Sequence, residues 1–520
     1  MRSSALKTVR VILAVLVFVI ITLSFIDFRH IIPDKWFNGI LFLQFVPSVL
    51  NFMNIAAIAS AGFVIVLILT LLTGRSYCSF LCPLGIYQDV VSRVGGRFKR
   101  KFRRFGYGKP HTILRNVILA LTLIVMLAGS VFLISLLDPY SIFGRGATYL
   151  LQPLAIIINN LVAAVSALFD NYTLFKVDFI KIPFEAFIIP VLLIGLVTWL
   201  SFTRGRLYCN TVCPVGTFLG FISRVSIFRI KIDDSKCTHC GICAAKCKAS
   251  CIDFKNENVD LSRCVACFNC ISPCPDDAIS YGLVNLRKGQ GKAAVPDQNK
   301  RGFIGGMLAL IAFLPRALKA QDAPVPEKES TVPENRTTPV CPPGGISIEH
   351  FNDYCTACSL CVSACPDKVI IPSLTEYGIA GMMQPRMDYH KGFCNFECIR
   401  CTEVCPSGAL LPLSLEAKKL TQIGKVHFIK ENCIVETERT DCGACSEHCP
   451  TKAVQMVPYI GNLVIPEIND EICVGCGACE YACPTTPYKA IYVDGNPIHQ
   501  DAKKPEEEEL KVQELDDFPF

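Results

Sequence analysis

Twenty-four of the chain's thirty cysteines fall into six sets of four, and no other feature restricts its folding and chemistry as much. Four sets share the spacing C-x2-C-x2-C-x3-C. They are Cys237, Cys240, Cys243, Cys247; then Cys264, Cys267, Cys270, Cys274; then Cys355, Cys358, Cys361, Cys365; and finally Cys473, Cys476, Cys479, Cys483. Two sets vary the opening: Cys394, Cys398, Cys401, Cys405 has one extra residue, and Cys433, Cys442, Cys445, Cys449 has a long gap. Zinc sites use isolated C-x2-C pairs more often than runs of three evenly spaced thiols closed by a fourth. Soft thiolate donors at this spacing suit iron held in clusters.

In the bacterial ferredoxin run the first three thiolates hold one [4Fe–4S] cube and the fourth reaches the neighbouring cube. The six sets therefore predict six [4Fe–4S] clusters, built by three pairs of runs. Cys274 would complete the cube of Cys237, Cys240 and Cys243, and Cys247 that of Cys264, Cys267 and Cys270. The third run pairs with the fourth through Cys365 and Cys405, and the fifth with the sixth through Cys449 and Cys483. Cys251 competes with Cys247 as the crossing ligand; spacing favours Cys247, and Cys251 and Cys341 read as ordinary thiols.

Hydrophobic residues make up 51% of the 520-residue chain. Apolar stretches long enough to span a bilayer lie near 9–27, 55–73, 113–137 and 185–203. The loop between the second and third carries Arg93, Arg97, Lys99, Arg100, Lys101, Arg103, Arg104, Lys109 and Arg115, which places that loop and the N-terminus in the cytoplasm. A basic run squeezed between two spans reads as a topology determinant, not as a nucleic-acid site, and no nucleic-acid partner is expected. Residues 149–169 also have spanning length, but Gln152, Pro153, Asn159 and Asn160 argue for an interfacial or re-entrant piece.

The remaining four cysteines belong to a repeat. GRSYCSFLCPLGIYQDVVSRV (74–94) aligns with GRLYCNTVCPVGTFLGFISRV (205–225) at ten identical positions of twenty-one. Ser24 to Asp27 echoes Ser135 to Asp138. The N-terminal part thus reads as a tandem repeat of helix, outer segment, helix and Cys-x3-Cys-Pro, with both motifs on the cytoplasmic side. Cys78, Cys82, Cys209 and Cys213 are candidates for an extra metal or redox centre, for dithiol cycling, or for inert burial.

The expected organisation is a four-helix membrane domain (1–225), a cytoplasmic two-cluster ferredoxin domain (226–290), a linker (291–344), a four-cluster polyferredoxin domain (345–495) and an acidic disordered tail (496–520). The fold class is thus an α-helical membrane domain plus α+β ferredoxin-like domains. The linker carries Lys300-Arg301 ahead of a short apolar run, a twin-arginine-like export signal with lysine in the first place. A module loaded with clusters made in the cytoplasm must cross the membrane folded. Residues 1–301 hold 33 basic and 15 acidic side chains, and 302–520 hold 18 and 30, so the C-terminal part is an acidic module.

Four helices with two Cys-x3-Cys-Pro motifs followed by a two-cluster ferredoxin resemble the NapH-type membrane subunit of periplasmic nitrate reductase systems. The Lys300-Arg301 segment, Cys341-Pro-Pro-Gly and four further runs resemble the exported NapG and MauM type. The chain resembles a fusion of the two. The resemblance implies a bacterial inner-membrane, multi-pass subunit of a quinol dehydrogenase that passes electrons from quinol to a periplasmic redox protein. Related membrane ferredoxins with Cys-x3-Cys-Pro imply an alternative, a copper or iron maturation factor. Quinol oxidation needs groups that take protons; Asp27 and Asp138 at the outer mouth of the bundle, with His30 and Tyr140, are the candidates. No nucleotide fingerprint is present.

Overall fold

The computed structural model describes residues 3–29, 34–55, 61–98, 105–180, 183–283 and 330–504. His30, the Lys300-Arg301 segment and residues 505–520 of the expected tail lie outside these residues; residues 496–501, expected to be disordered tail, are instead part of a β-strand.

The N-terminal part is helical. α1 (Ser3–Ile26) is followed by α2 (Asp34–Leu41), α3 (Phe45–Ile55) and α4 (Gly62–Thr73), then the short α5 (Tyr77–Phe80) and α6 (Pro83–Phe98). A second series follows: α7 (Thr112–Leu127), α8 (Phe132–Leu137), α9 (Pro139–Gly146), α10 (Gln152–Ala167), α11 (Phe184–Arg204), α12 (Leu207–Thr211) and α13 (Pro214–Ser223). Ile12, Leu16, Leu123, Ile157, Leu192 and Trp199 project outward, an apolar exterior suited to lipid. Among the described residues, three helices are long and apolar enough to cross a membrane: Ala5–Ile26, Pro139–Ala167 and Phe184–Arg204.

Two of the expected readings need correction, one of a span and one of a non-spanning stretch. The stretch 113–137 is not one helix: α7 ends at a turn where Gly129 has φ +84°, and α8 starts afresh at Phe132. The stretch 149–169, expected to be interfacial or re-entrant, lies inside the continuous helix Pro139–Ala167, whose α9 and α10 are joined by a π-helical turn at Ala147–Leu151. Its polar residues find partners in distant parts of the chain. Gln152 Nε2 donates to the Ser363 carbonyl at 3.0 Å, and Asn160 Nδ2 to that of Val177 at 2.9 Å. The first expected span matches α1 and the fourth α11, while the described part of the second is the 12-residue α4.

Two ferredoxin-like units pack on this bundle. In the first, β1 (Phe228–Ile232) pairs antiparallel with β4 (Ile279–Leu283) around the small hairpin of β2 (Ile252–Asp253) and β3 (Asn258–Val259). In the second, β5 (Ile370–Pro372) pairs with β6 (Pro385–Met387), and β7 (Thr421–Phe428) with β10 (Ile491–Asp501). β8 (Val454–Pro458) and β9 (Val464–Ile468) form its remaining pair, also antiparallel.

The two units sit at opposite ends of the bundle. The first meets the end where α4 and α11 finish. Tyr281 Oη donates to the Thr73 carbonyl at 3.2 Å, the Arg206 amide to that of Lys248 at 3.0 Å, and a Cβ on Gly220 would lie 2.5 Å from the Ser262 oxygen. The second meets the other end. Asn54 Nδ2 donates to the Gly408 carbonyl at 2.9 Å, and a Cβ on Gly144 would lie 2.5 Å from the Cys358 oxygen. Along α1, Arg10 marks the first end and Phe25 the second, about 22 Å apart at the helical rise.

Candidate metal centres

Each regular run turns sharply around its second cysteine. His239 and Gly241, Ala266 and Phe268, Ala357 and Ser359, and Gly475 and Gly477 all have φ between +47° and +77°. Successive turns of this kind point backbone N–H groups into a concavity that favours anions, and thiolate sulfurs are such anions. Five of the eight residues are neither glycine nor asparagine, so the left-handed backbone carries strain that the surrounding structure must hold. The two variant runs lack the pattern: Ile399, after Cys398, has φ −122° and Gly443, after Cys442, φ −129°.

Four hollows open among these cysteines. One is lined by Cys237, Cys240, Cys243 and Cys274, another by Cys394, Cys398, Cys401 and Cys365, and a third by Cys433, Cys442, Cys445 and Cys483. In each, three thiols of one run meet the last thiol of its partner run. Cys361 likewise faces Cys355, Cys358 and Cys405, and Cys479 faces Cys473, Cys476 and Cys449. The fourth hollow holds five thiols: Cys264, Cys267, Cys270, Cys247 and Cys251. The Cys251 sulfur lies 3.5 Å from that of Cys247 and also contacts Cys264, so this leftover cysteine lies at a site, a placement its spacing did not reveal. Cys341 is a fully buried core thiol near Cys355 that lines none of these four hollows. The thiol sets fit four-coordinate ligation of a cubane in number and kind.

The Cys-x3-Cys-Pro residues form a separate group. Cys78, Cys82, Cys209 and Cys213 are each 4% exposed or less, and all six pairs among them are close enough to interact electrostatically. The two copies exchange contacts. Arg75 Nη2 donates to the Cys209 carbonyl at 3.2 Å, and Arg206, the matching residue of the second copy, donates to the Cys78 carbonyl. Gly85 and Gly216 leave room for these crossings, since a Cβ on either would strike the same carbonyl oxygens.

Asp138 and Tyr140, expected at an outer mouth, are instead enclosed, each 1% exposed. Asp138 caps α9 by accepting from the Ser141 amide and hydroxyl, both at 2.8 Å. It lies beside the second motif, because Tyr208 Oη donates to the carbonyl of neighbouring Leu137 at 2.8 Å. In the first copy Tyr77 Oη accepts from the Phe45 amide at 3.2 Å and lies 3.4 Å from Gln44 Oε1. Asp27 is half-buried after the end of α1. Tyr140 packs on Phe25 at a ring separation of 5.8 Å, near Cys358, and its hydroxyl has no hydrogen-bond partner among the described residues.

Three domain-family models match, over four stretches. A 4Fe-4S binding domain covers residues 55–104 and 186–233, and 4Fe-4S dicluster domains cover 354–410 and 438–486. These matches support iron–sulfur electron transfer as the chain's chemistry, carried by ferredoxin-type 4Fe-4S domains. The chain is 26% identical to the ferredoxin-type protein NapF of Escherichia coli K12 over 134 residues, 26% of this chain and 73% of NapF. It is 29% identical over 150 residues to the methylamine utilization ferredoxin-type protein MauM of Methylobacillus flagellatus, 28% of this chain and 63% of that one. A third relative is YccM of Escherichia coli K12, whose name marks it as an electron transport candidate. It is 26% identical over 209 residues, 40% of this chain and 51% of YccM. No solved structure matches.

Proposed function

We propose that the chain is the membrane-bound electron-transfer subunit of a quinol dehydrogenase, carrying electrons from the quinol pool to an acceptor outside the bacterial inner membrane. The observation that carries this reading is the placement of two ferredoxin-like units at opposite ends of one apolar helical bundle. The helical part, a tandem repeat, spans the membrane; the basic loop around residues 93–115 holds the first unit in the cytoplasm, and the acidic second unit faces outward. The twenty-four cysteines of the six runs hold six [4Fe–4S] clusters. When bound, each cluster takes up and releases one electron at a time.

Oxidation of one quinol releases two electrons and two protons. The protons are assigned in this reading to the carboxylates Asp138 and Asp27, with His30 close to Asp27 in the chain. Tyr140 offers an unpaired hydroxyl beside the Cys358 loop, where a quinol oxygen could be held. The alternative, loading or reducing copper or iron for another enzyme, needs thiols that a cargo ion can reach, and the four Cys-x3-Cys-Pro thiols are buried.

The test is anaerobic titration of the purified full chain with a short-chain quinol, following bleaching of the cluster absorbance. Quinol should reduce the clusters. The double variant Asp27→Asn with Asp138→Asn should slow this steeply, while dithionite still reduces every cluster. A wild-type chain reduced by dithionite and indifferent to quinol would remove quinol as the donor.

A further inference from the structure

The six-cluster reading gives no work to the four Cys-x3-Cys-Pro thiols. From their surroundings we infer that Cys78, Cys82, Cys209 and Cys213 together hold one further iron–sulfur cluster, shared by the two copies of the motif and standing between the two ferredoxin-like units.

The first argument is charge. Arg75 is 0% exposed and has no carboxylate partner among the described residues. Its hydrogen bonds go to neutral oxygens, Asn210 Oδ1 at 3.0 Å, the Ser262 carbonyl at 2.8 Å and the Cys209 carbonyl, and its Nη2 lies 3.9 Å from Cys78 Sγ. Nearby, Asp89 is the one carboxylate paired with Arg206, Arg10 and Lys248. A buried cation without a counter-ion is costly, and this region carries a surplus of them. An iron–sulfur core bound by four thiolates is anionic and supplies the missing charge.

The second argument is donors. Cys82 and Cys213 stand at the N-termini of the 16-residue α6 and the 10-residue α13, where helix dipoles and free amides favour a thiolate. The Gly216 amide donates to Cys213 Sγ at 3.3 Å. Gln88, also 0% exposed, lies against Cys209, and among the described residues its amide has no hydrogen-bond partner other than that thiol. A buried primary amide of this kind is suited to donate to a cluster sulfur.

The third argument is position. The four thiols share one apolar core with Val265 and Cys267 of the first unit and with Leu360 and Cys358 of the second. Each copy of the motif brings two thiols, half of a ligand set, although the 4Fe-4S binding domain matches both copies separately. Only by pooling do they reach four. Zinc also accepts four thiolates but has no redox chemistry, and would put an inert ion in the line between two electron-carrying units.

Native mass spectrometry of the full chain, purified anaerobically in detergent, tests this directly. Six cubes account for about 24 iron atoms. A further cluster raises the count to about 28 as a cubane or about 26 as a two-iron cluster. A count that stops at about 24, or zinc or copper in place of the extra iron, overturns the inference. Alkylation followed by peptide mapping decides the site itself. The four thiols should be protected in the loaded chain and become reactive after acid and chelator release the iron; alkylation of them in the loaded chain overturns the inference. Cys82→Ser with Cys213→Ser should lose the extra iron and keep the rest. If that variant does not fold, the wild-type count and mapping still decide. A quinol-reducible chain with about 24 irons leaves the six-cluster reading standing.

Discussion

Asp89 offers the sharpest test of how the first ferredoxin-like unit is fastened to the bundle. Its carboxylate gathers Arg206 Nε at 2.7 Å from the second Cys-x3-Cys-Pro copy, Arg10 from α1 and Lys248 from the ferredoxin-like unit, all in buried surroundings. Replacing Asp89→Asn keeps the shape and removes the one negative charge. Breaking a buried ion pair from one side costs about 3 to 5 kcal/mol, because the other charge is left without compensation. At about 1.4 kcal/mol per tenfold, opening of the docked unit should become more frequent by roughly two to four powers of ten. Three amides report that opening: Arg206 to the Lys248 carbonyl at 3.0 Å, Phe105 to that of Ala245 at 3.2 Å, and Gly108 to that of Ser250 at 3.2 Å. Hydrogen exchange of the chain in lipid nanodiscs should show these three accelerating together in Asp89→Asn. Amides of the second unit should not respond, and neither should the same three when the exposed pair Lys503–Glu471 is broken by Glu471→Gln. Unchanged protection at the three reporters would mean that the carboxylate does not hold the unit, and the charge argument for this region would fail with it.

At the other end, Gly144→Val should push the Cys358 loop off α9, since the added carbon would lie 2.5 Å from its carbonyl; crowding of this kind costs about 1 to 3 kcal/mol, and protease sensitivity of the second unit in nanodiscs should rise. The fifth thiol of the first unit should be dispensable if Cys247 is the crossing ligand: Cys251→Ser should keep full iron content and Cys247→Ser should lose about four irons, the reverse result assigning the role to Cys251. The segment from Ser330 onward is fastened by pH-sensitive contacts. Hydrogen bonds to Asp388 and Glu334, with Glu480 nearby, raise His390 to about 9, so its contribution is complete below 6.5 and is lost as pH rises through about 9. Burial pushes Glu334 up, but bonds from His390, the Lys489 amide and Arg336 hold it at about 2, so its contribution is complete above 4.5 and is lost as pH falls through about 2. With Arg336 charged throughout, cleavage of the segment by an added protease should be slowest between pH 4.5 and 6.5; a flat profile across pH 5 to 10 would refute the His390 contribution.

What the sequence made legible was chemistry fixed by short spacing. Ligand runs such as Cys355 to Cys365 and the paired Gly-Arg-x-Tyr-Cys-x3-Cys-Pro stretches announce themselves, because few residues separate the groups that act together. The crossing thiols could be paired by the same logic. What escaped was set by contacts distant in the chain. Gln152 looked like an obstacle to a long helix because its partner, Ser363, lies in another unit. The break at Gly129 was hidden in an unbroken apolar stretch, where hydropathy has no means of marking a turn. The five left-handed residues that are neither glycine nor asparagine are invisible in composition, since nothing about Phe268 or Ala357 alone indicates a positive φ.

The exchange of Arg75 and Arg206 between the two motif copies has a consequence for how such a chain can arise. Each copy donates its arginine to the other and receives one back, which is the contact pattern of a two-fold dimer written within a single polypeptide. A protein with one copy, paired with itself, would already own four thiols and both crossings. Duplication and joining of its gene then preserves a complete site at every step. Once the copies are joined they are free to diverge, as Asp89 opposite Gly220 and Gln88 opposite Leu219 have done, each half adapting to a different neighbour.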